Sequence, residues 1–390
     1  MFERFRTSAK DAPYIAGTSV KLIRGGIEYF DLLEKMISSA KHIIHFQMYI
    51  FDNDATGQRI ATALKDASRR GVRIFLMLDA YASKNLSKAF IQDLKDSGIR
   101  FHWFAPILKG KKFYLGRRLH HKVIVIDSFN CLVGGLNISD KYNDTEKGAA
   151  WLDWALYSEG TIGTSLAGIC IRRFKTSRLS AIETVKPTHL PVSGIVKNCE
   201  VRPRRNDWIG RRREISRSYV EMFNNAADRI IIMSPYFLPG QMFRNSIKRA
   251  AKRGVSIKVI LAGVSDIGTS KYAERYLYRW LFMNKVRIFE YNKTVLHGKI
   301  AVCDSKWMTI GSYNLNNLSA YASVELNIDV KNPTMALNTE NCLTEIMDNH
   351  CEEITEEKYH RTTGWLARVM QKLAYNLLRL AAFIVIKKRE

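Results

Sequence analysis

The chain has no run of about 18 or more apolar residues, so no bilayer-spanning helix is expected. Its start, Met1 to Gly17, carries charges but no apolar stretch, so no secretory signal is expected either. Cysteine is sparse and unpatterned. The six cysteines are Cys131, Cys170, Cys199, Cys303, Cys342 and Cys351, and none forms a CxxC pair. Zinc-site and thioredoxin-like readings therefore have little support. Cys131 and Cys303 sit in or beside apolar strand-like runs and read as small core residues. A reducing compartment is expected. Negative charge is also in short supply, with 37 Asp and Glu against 61 Lys and Arg, a formal surplus of +24. Such a field attracts polyanions, either nucleic acid or an anionic membrane. At 390 residues, 46% hydrophobic and 25% charged, the composition is that of a globular chain long enough for two domains.

What the chain does have is one pattern twice: His, any residue, Lys, four residues, Asp. The copies are His120–Asp127 and His297–Asp304. A Gly-containing tail starts seven positions after each Asp, as Gly134-Gly135-Leu136-Asn137 and Gly311-Ser312-Tyr313-Asn314. Matched motifs with matched tails imply duplicated lobes that jointly build one site.

The surroundings repeat as well. A strand pattern at 42–49, a helix from Gly57 to Arg70 and a strand through 70–78 match a strand at 229–236, a helix from Met242 to Arg253 and a strand to Leu261. Each is a β-α-β unit with Gly71 or Gly254 at the helix end, where a left-handed cap is needed. Runs of Ile, Val and Leu predict a parallel or mixed sheet covered by helices on both faces. The expected division is a lead-in at 1–18, a first lobe at 19–185, a connection at 186–207 with Pro187, Pro191 and Pro203, a second lobe at 208–345, and a basic amphipathic helical tail at 346–390.

Residues two apart on a strand share a face, so His120 points with Lys122 and His297 with Lys299. A neighbouring ammonium favours neutral imidazole, which is a nucleophile. Lys and Asn are donors suited to a phosphoryl oxygen, and Asn137 and Asn314 follow the glycines. Two such sets face to face make a metal-free clamp for a phosphodiester, in which one His attacks phosphorus and the other handles the proton. Neutral imidazole needs its other nitrogen held. The candidate carboxylates are Asp153 and Glu325, each in a strand-like context downstream of its own lobe's motif. His121 has the opposite parity and is expected to pack behind. Asp127 and Asp304 precede turns and are expected to satisfy backbone amides rather than touch substrate.

These paired motifs with GGxN and GSxN tails resemble the phospholipase D superfamily. Tyr49-Ile50-Phe51-Asp52, Arg70-Gly71-Val72, Ser234-Pro235-Tyr236-Phe237, Arg253-Gly254-Val255 and Gly311-Ser312-Tyr313-Asn314-Leu315 further resemble bacterial cardiolipin synthases, of the short type without N-terminal transmembrane helices. The resemblance runs from about Val20 to the C-terminus. It implies an α/β fold of two tandem α-β-α sandwich lobes with a shared active site between them. It implies catalytic roles for His120, Lys122, Asp127, His297, Lys299 and Asp304, with Asn137 and Asn314 binding phosphate, while Asp153 and Glu325 are expected from their strand contexts to orient the histidines. It also implies a phosphatidyl-histidine intermediate, with His120 the usual nucleophile and His297 the acid and base. No metal or other cofactor is implied.

The expected activity is therefore phosphatidyl transfer, with phosphatidylglycerol as donor and acceptor, giving cardiolipin and glycerol. The alternative is a phosphodiesterase acting on phospholipid or nucleic acid, which the basic surplus also suits. The expected partner is an anionic phospholipid membrane rather than nucleic acid, on the cytoplasmic face of the bacterial cell membrane. Two motifs in one chain remove the need for a dimer. Three segments are candidates for membrane contact. They are the basic-aromatic loop Lys109–Arg118, the segment Tyr272–Lys285, and the tail. In the tail Trp365, Val369, Leu373 and Leu377 form a stripe joined by Leu366, Met370 and Ile384, and Lys387-Lys388-Arg389 ends the chain.

Overall fold

The duplication is visible strand by strand in a computed structural model, which describes residues 12–387 except 107, 110–111, 114–116, 147, 175–187, 317–318 and 320–322. One mixed sheet runs through both lobes. In the first lobe, Ile43–Met48, Arg73–Asp79 and Arg100–Phe104 are parallel neighbours, and Val123–Ile126, Asn130–Gly134, Trp154–Glu159 and Ile15–Arg24 continue the sheet antiparallel. The second lobe repeats the order with Arg229–Met233, Ser256–Ala262 and Arg287–Tyr291 parallel, then Ile300–Cys303, Trp307–Gly311 and Ser323–Lys331 antiparallel. The β-α-β units close through helices Ala55–Arg69 and Gln241–Lys252. Gly71 and Gly254 follow them at φ 90° and 91°, the left-handed geometry that only glycine adopts without strain.

Two boundaries differ from expectation. The connection 186–207 is not a plain linker, because Val196–Asp207 is a central strand. It pairs antiparallel with Ile15–Arg24 of the first lobe and with Ser323–Lys331 of the second. The second lobe also extends past 345: helix Pro333–His350 is continuous there, and Cys351–Ile354 pairs with Arg287–Tyr291 at the far edge.

Among the described residues the core has three large parts, besides a small cluster of Met77, Leu119 and Val324. One covers the outer face of each lobe. The third is shared: Val123, Trp154, Leu166, Met233, Ile300, Leu326 and Leu343 pack together beneath the joint, under helices Ile162–Phe174 and Pro333–His350. Burying apolar surface from both lobes in one cluster fixes their relative position. All six cysteines are free, and Cys131 and Cys303 are buried as expected.

Candidate functional site

His120 and His297 line the same cleft, of about 630 Å³, at the joint between the lobes. Neither motif start is in a regular strand. Residues 120–122 sit between Arg118–Leu119 and Val123–Ile126, and residues 297–299 precede Ile300–Cys303. The alternation of faces nevertheless holds. Lys122 Nζ donates to the His120 carbonyl at 3.1 Å, and Lys299 Nζ lies 3.0 Å from His297 Nδ1. His121 turns the other way, is fully buried, and meets Gln47 through Nδ1 at 3.0 Å.

The two imidazoles are held by carboxylates that cross the joint. His120 Nδ1 is 2.8 Å from Glu325 Oε2, on the second-lobe strand Ser323–Lys331. His297 Nδ1 is 2.6 Å from Asp153 Oδ2, just before the first-lobe strand Trp154–Glu159. Each carboxylate had been expected to serve the histidine of its own lobe. The exchange follows from the sheet: both carboxylates stand where the lobes' inner strands meet, facing the opposite motif. With Nδ1 occupied, Nε2 is the nitrogen left to work in the cleft.

The glycine tails explain how the carboxylates fit, and they differ between lobes. A Cβ on Gly135 would lie 2.3 Å from Asp153 Oδ1, so only glycine admits that carboxylate. The equivalent position, Ser312, instead donates its hydroxyl to Glu325 Oε2. Asn137 and Asn314 differ too. Asn137 is spent inside the protein: Oδ1 accepts from the Ile50 amide at 3.1 Å, and Nδ2 donates to the Tyr142 hydroxyl at 2.8 Å. Asn314 also lines the cleft, and its buried Oδ1 has no hydrogen-bond partner among the described residues.

Asp127 and Asp304 do not line the cleft, at variance with a catalytic role by motif membership. The Asp127 carboxylate accepts the amides of Lys41, His42 and Ile43, all at 2.8–2.9 Å. Asp304 repeats this with Ala227, Asp228 and Arg229 at 2.8–3.0 Å. Both residues have positive φ, 50° and 51°, at the turn that follows the motif strand. Burial works to raise the Asp304 carboxyl, but the three amides outweigh it and hold the group below the usual range. Each Asp thus ties its motif strand to the first strand of its β-α-β unit.

The electrostatics of the site favour an anion. Burial lowers both histidines, with Lys122 and Lys299 adding to the effect and Glu325 opposing it at His120. Both are therefore neutral imidazoles at neutral pH. Burial and the charge of Lys299 push the Lys122 ammonium down to about 7. Burial raises Asp153 to about 7, against the pull of Lys299. The two buried ammoniums lie close enough to repel each other, an arrangement that a nearby anion relieves. Among the described residues no group of three or more His, Cys, Asp or Glu side chains could hold a metal ion.

Aromatic rings frame the histidines. Tyr49 stands edge-on to His120 with centroids 4.8 Å apart, and Tyr142 to His297 at 5.2 Å. Tyr49 and Tyr236 end matched strands and both line the cleft, a correspondence legible in the sequence that had drawn no role. Asp52, Asp266 and Trp151 are further lining residues that sequence reasoning did not assign.

The expected membrane contacts fare unevenly. Most of the loop Lys109–Arg118 lies outside the described residues; at its end, Arg117 pairs with Asp207 and Arg118 with Asp79. In Tyr272–Lys285, Tyr278 is fully buried and Trp280 and Phe282 pack on the second-lobe core, while Tyr272, Tyr276 and Met283 are exposed, so the segment divides between packing and surface. Helix Trp365–Lys387 matches its expectation. Trp365, Leu366, Val369, Met370, Leu373, Leu377 and Leu380 are exposed, while Gln371 is buried and meets the Tyr359 hydroxyl at 2.7 Å. No described helix is long and apolar enough to cross a membrane. The side chains of Ile384 and of Lys387-Lys388-Arg389 lie outside the described residues.

Comparison with known proteins supports the duplicated two-lobe fold. The family described as "Cardiolipin synthase, PLD-like domain" matches residues 33–155 and 219–347, once per lobe. Cardiolipin synthase B of Salmonella typhimurium is 30% identical over 374 residues, covering 93% of this chain and 88% of that protein. A cardiolipin synthase of Halalkalibacterium halodurans is 29% identical over 369 residues, covering 92% and 71%. Among solved structures, phosphatidylserine synthase of Haemophilus influenzae superposes with a TM-score of 0.71 at 15% identity, covering 96% of this chain and 97% of that one. Polyphosphate kinase of Porphyromonas gingivalis superposes at 0.55, covering 93% and 55%. With a family match in both lobes and relatives along nearly the whole chain, the protein belongs to the cardiolipin synthase family of phospholipase D-like enzymes.

Proposed function

We propose that the protein is a phosphatidyl transferase that joins two phosphatidylglycerols into cardiolipin and releases glycerol. The observation that carries this reading is the pair of imidazoles in one cleft, each held at Nδ1 by a carboxylate of the other lobe. His120 Nε2 attacks the donor phosphorus, and the phosphorus–oxygen bond to the headgroup glycerol breaks as the nitrogen–phosphorus bond forms. His297 gives its proton to the departing glycerol oxygen. The same imidazole then takes the proton of the second lipid's hydroxyl, whose oxygen attacks phosphorus and expels His120. Lys122 and Lys299 neutralise charge on the phosphoryl oxygens throughout.

The low proton affinity of His297 in the empty cleft is compatible with an acid role. A phosphodiester anion offsets the two ammoniums that hold the imidazole neutral, so substrate binding itself favours its protonation.

The protein acts peripherally, on the cytoplasmic face of the bacterial cell membrane. Support comes from the +24 surplus, the free cysteines and the exposed apolar stripe of helix Trp365–Lys387. The test is mass spectrometry of lipids after incubating purified protein with phosphatidylglycerol vesicles. Cardiolipin and glycerol in equal amounts are expected. A folded protein that yields no cardiolipin would sink the assignment.

A further inference from the structure

Transfer between two phospholipids presents the cleft with two phosphates. Lys122 and Lys299 face the reacting one. The acceptor lipid brings its own phosphodiester, a glycerol's length from the hydroxyl that reacts. An unbalanced second anion in a site of low dielectric would repel the first.

Besides Lys141 and the carboxylates of Asp52 and Asp266, the lining of the same cleft includes two arginines, Arg244 and Arg379. They come from different elements, helix Gln241–Lys252 and the tail helix Trp365–Lys387. Arginines elsewhere in the protein, such as Arg59, Arg202 and Arg229, pair with carboxylates. These two have no carboxylate partner among the described residues. They are steadied by rings instead, with Arg244 over Trp280 at 6.0 Å and Arg379 over Tyr375 at 5.7 Å. A ring face steadies a guanidinium while leaving its in-plane donors open. Arg244 spends one donor on Gln241 Oε1 at 2.9 Å, and its buried Nε has no hydrogen-bond partner among the described residues. The start of helix Gln241–Lys252, which has no side-chain cap, lines the same cleft and adds charge of the same sign.

We propose that Arg244 and Arg379 form a second phosphate subsite, which binds the phosphodiester of the acceptor lipid while the donor phosphate occupies the histidine pair. The inference rests on the phosphatidyl-transfer reading. It also gives the tail helix a second task. Its outer face is apolar and exposed, and its inner face supplies Tyr375, Leu378 and Arg379 to the cleft. An acceptor held by Arg379 has its acyl chains beside the apolar stripe.

The test sets two acceptors in competition, using full-length protein, phosphatidylglycerol vesicles and added ethanol. Ethanol carries no phosphate, so phosphatidylethanol reports donor attack alone and cardiolipin reports use of a phosphorylated acceptor. The double variant R244Q/R379Q is expected to lower the ratio of cardiolipin to phosphatidylethanol about 10- to 100-fold, the worth of lost charge-assisted hydrogen bonds. R244K/R379K, which keeps the charge but not the fork, is expected to fall between. Overlaid thermal melts check the fold. An unchanged ratio, whether both products fall together or neither does, overturns the subsite.

Inorganic phosphate separates a lipid phosphate from a free one. If it inhibits the wild type, loses that effect in R244Q/R379Q and leaves the ratio unchanged, the site serves free phosphate and the proposal fails. Wild-type protein that makes phosphatidylethanol but no cardiolipin would instead refute the synthase reading itself, and the acceptor subsite with it.

Discussion

Glu325 of the second lobe sits 2.8 Å from His120 of the first, so the proposed nucleophile depends on a residue more than 200 positions away. The partner relationship, Asp153 to His297, runs the other way across the joint. Neither lobe alone holds a complete histidine–carboxylate pair.

Replacing Glu325 with Gln keeps the shape but removes the charge that fixes the His120 tautomer. Cardiolipin formation is expected to drop about 10²- to 10⁴-fold in kcat, with KM little changed. Initial rates on phosphatidylglycerol vesicles measure it. A loss confined to KM would contradict the positioning role.

Asp127→Ala and Asp304→Ala remove a carboxylate that three backbone amides share. The expected effect is on stability, about 2–3 kcal/mol for each substitution. Chemical denaturation measures it, and turnover per folded molecule checks that chemistry is spared. A catalytic role would give the reverse pattern.

The pH profile follows from the lysines. Lys122, pushed down to about 7, carries its charge below that value and loses it above. Because the ammonium binds the phosphate, kcat/KM is expected to fall as pH rises past 7. The lowered histidines stay neutral into mild acid, but Asp153, raised to about 7, loses the charge that holds His297 as pH falls past that value, so an acid limb is expected as well and the profile peaks near 7. K122R, whose charge persists far higher, is expected to move the alkaline limb upward even if its maximum is lower.

Gly135→Ala puts a methyl group into the Asp153 carboxylate, with no room to shift toward solvent. A cost of about 1–3 kcal/mol and a large loss of activity are expected. Ser312→Ala, at the equivalent position, removes one hydrogen bond to Glu325 and is expected to be milder in both respects. Parallel melts and assays compare the two.

The tail stripe is tested by W365S/L373S/L377S. All three side chains are exposed, so the fold is expected to be unaffected. Each large apolar group inserted in a bilayer contributes about 1.5–3 kcal/mol, so binding to anionic vesicles is expected to weaken by about 10²-fold or more. Vesicle flotation reads this directly.

Much of this was legible in the chain. The doubled motif with its tails, the β-α-β units and the left-handed glycines are local patterns, and local patterns carry helix and strand periodicity directly. His121 turns away as alternation predicts, and the two motif Asp residues hold backbone amides, as their place before a turn suggests, rather than the catalytic role that motif membership implies, although the histidine segments lie just outside regular strands. Three features were not legible. Val196–Asp207 reads as a linker because its Pro203 and its charges resemble a connection, yet pairing on both sides makes it a strand. Asn137 looked identical to Asn314, but the Tyr142 hydroxyl claims its amide. The part of the cleft lining formed by Arg244 and Arg379 joins two helices distant in the chain.

The sequence by itself determined which residues are present in duplicate and which way each side chain faces, because alternation and turn chemistry act over a few residues. Only the tertiary structure decided which carboxylate serves which histidine. Strand pairing at the joint between the lobes carries Asp153 and Glu325 across to opposite motifs, and that exchange is set by the packing of two lobes on one buried core rather than by spacing along the chain.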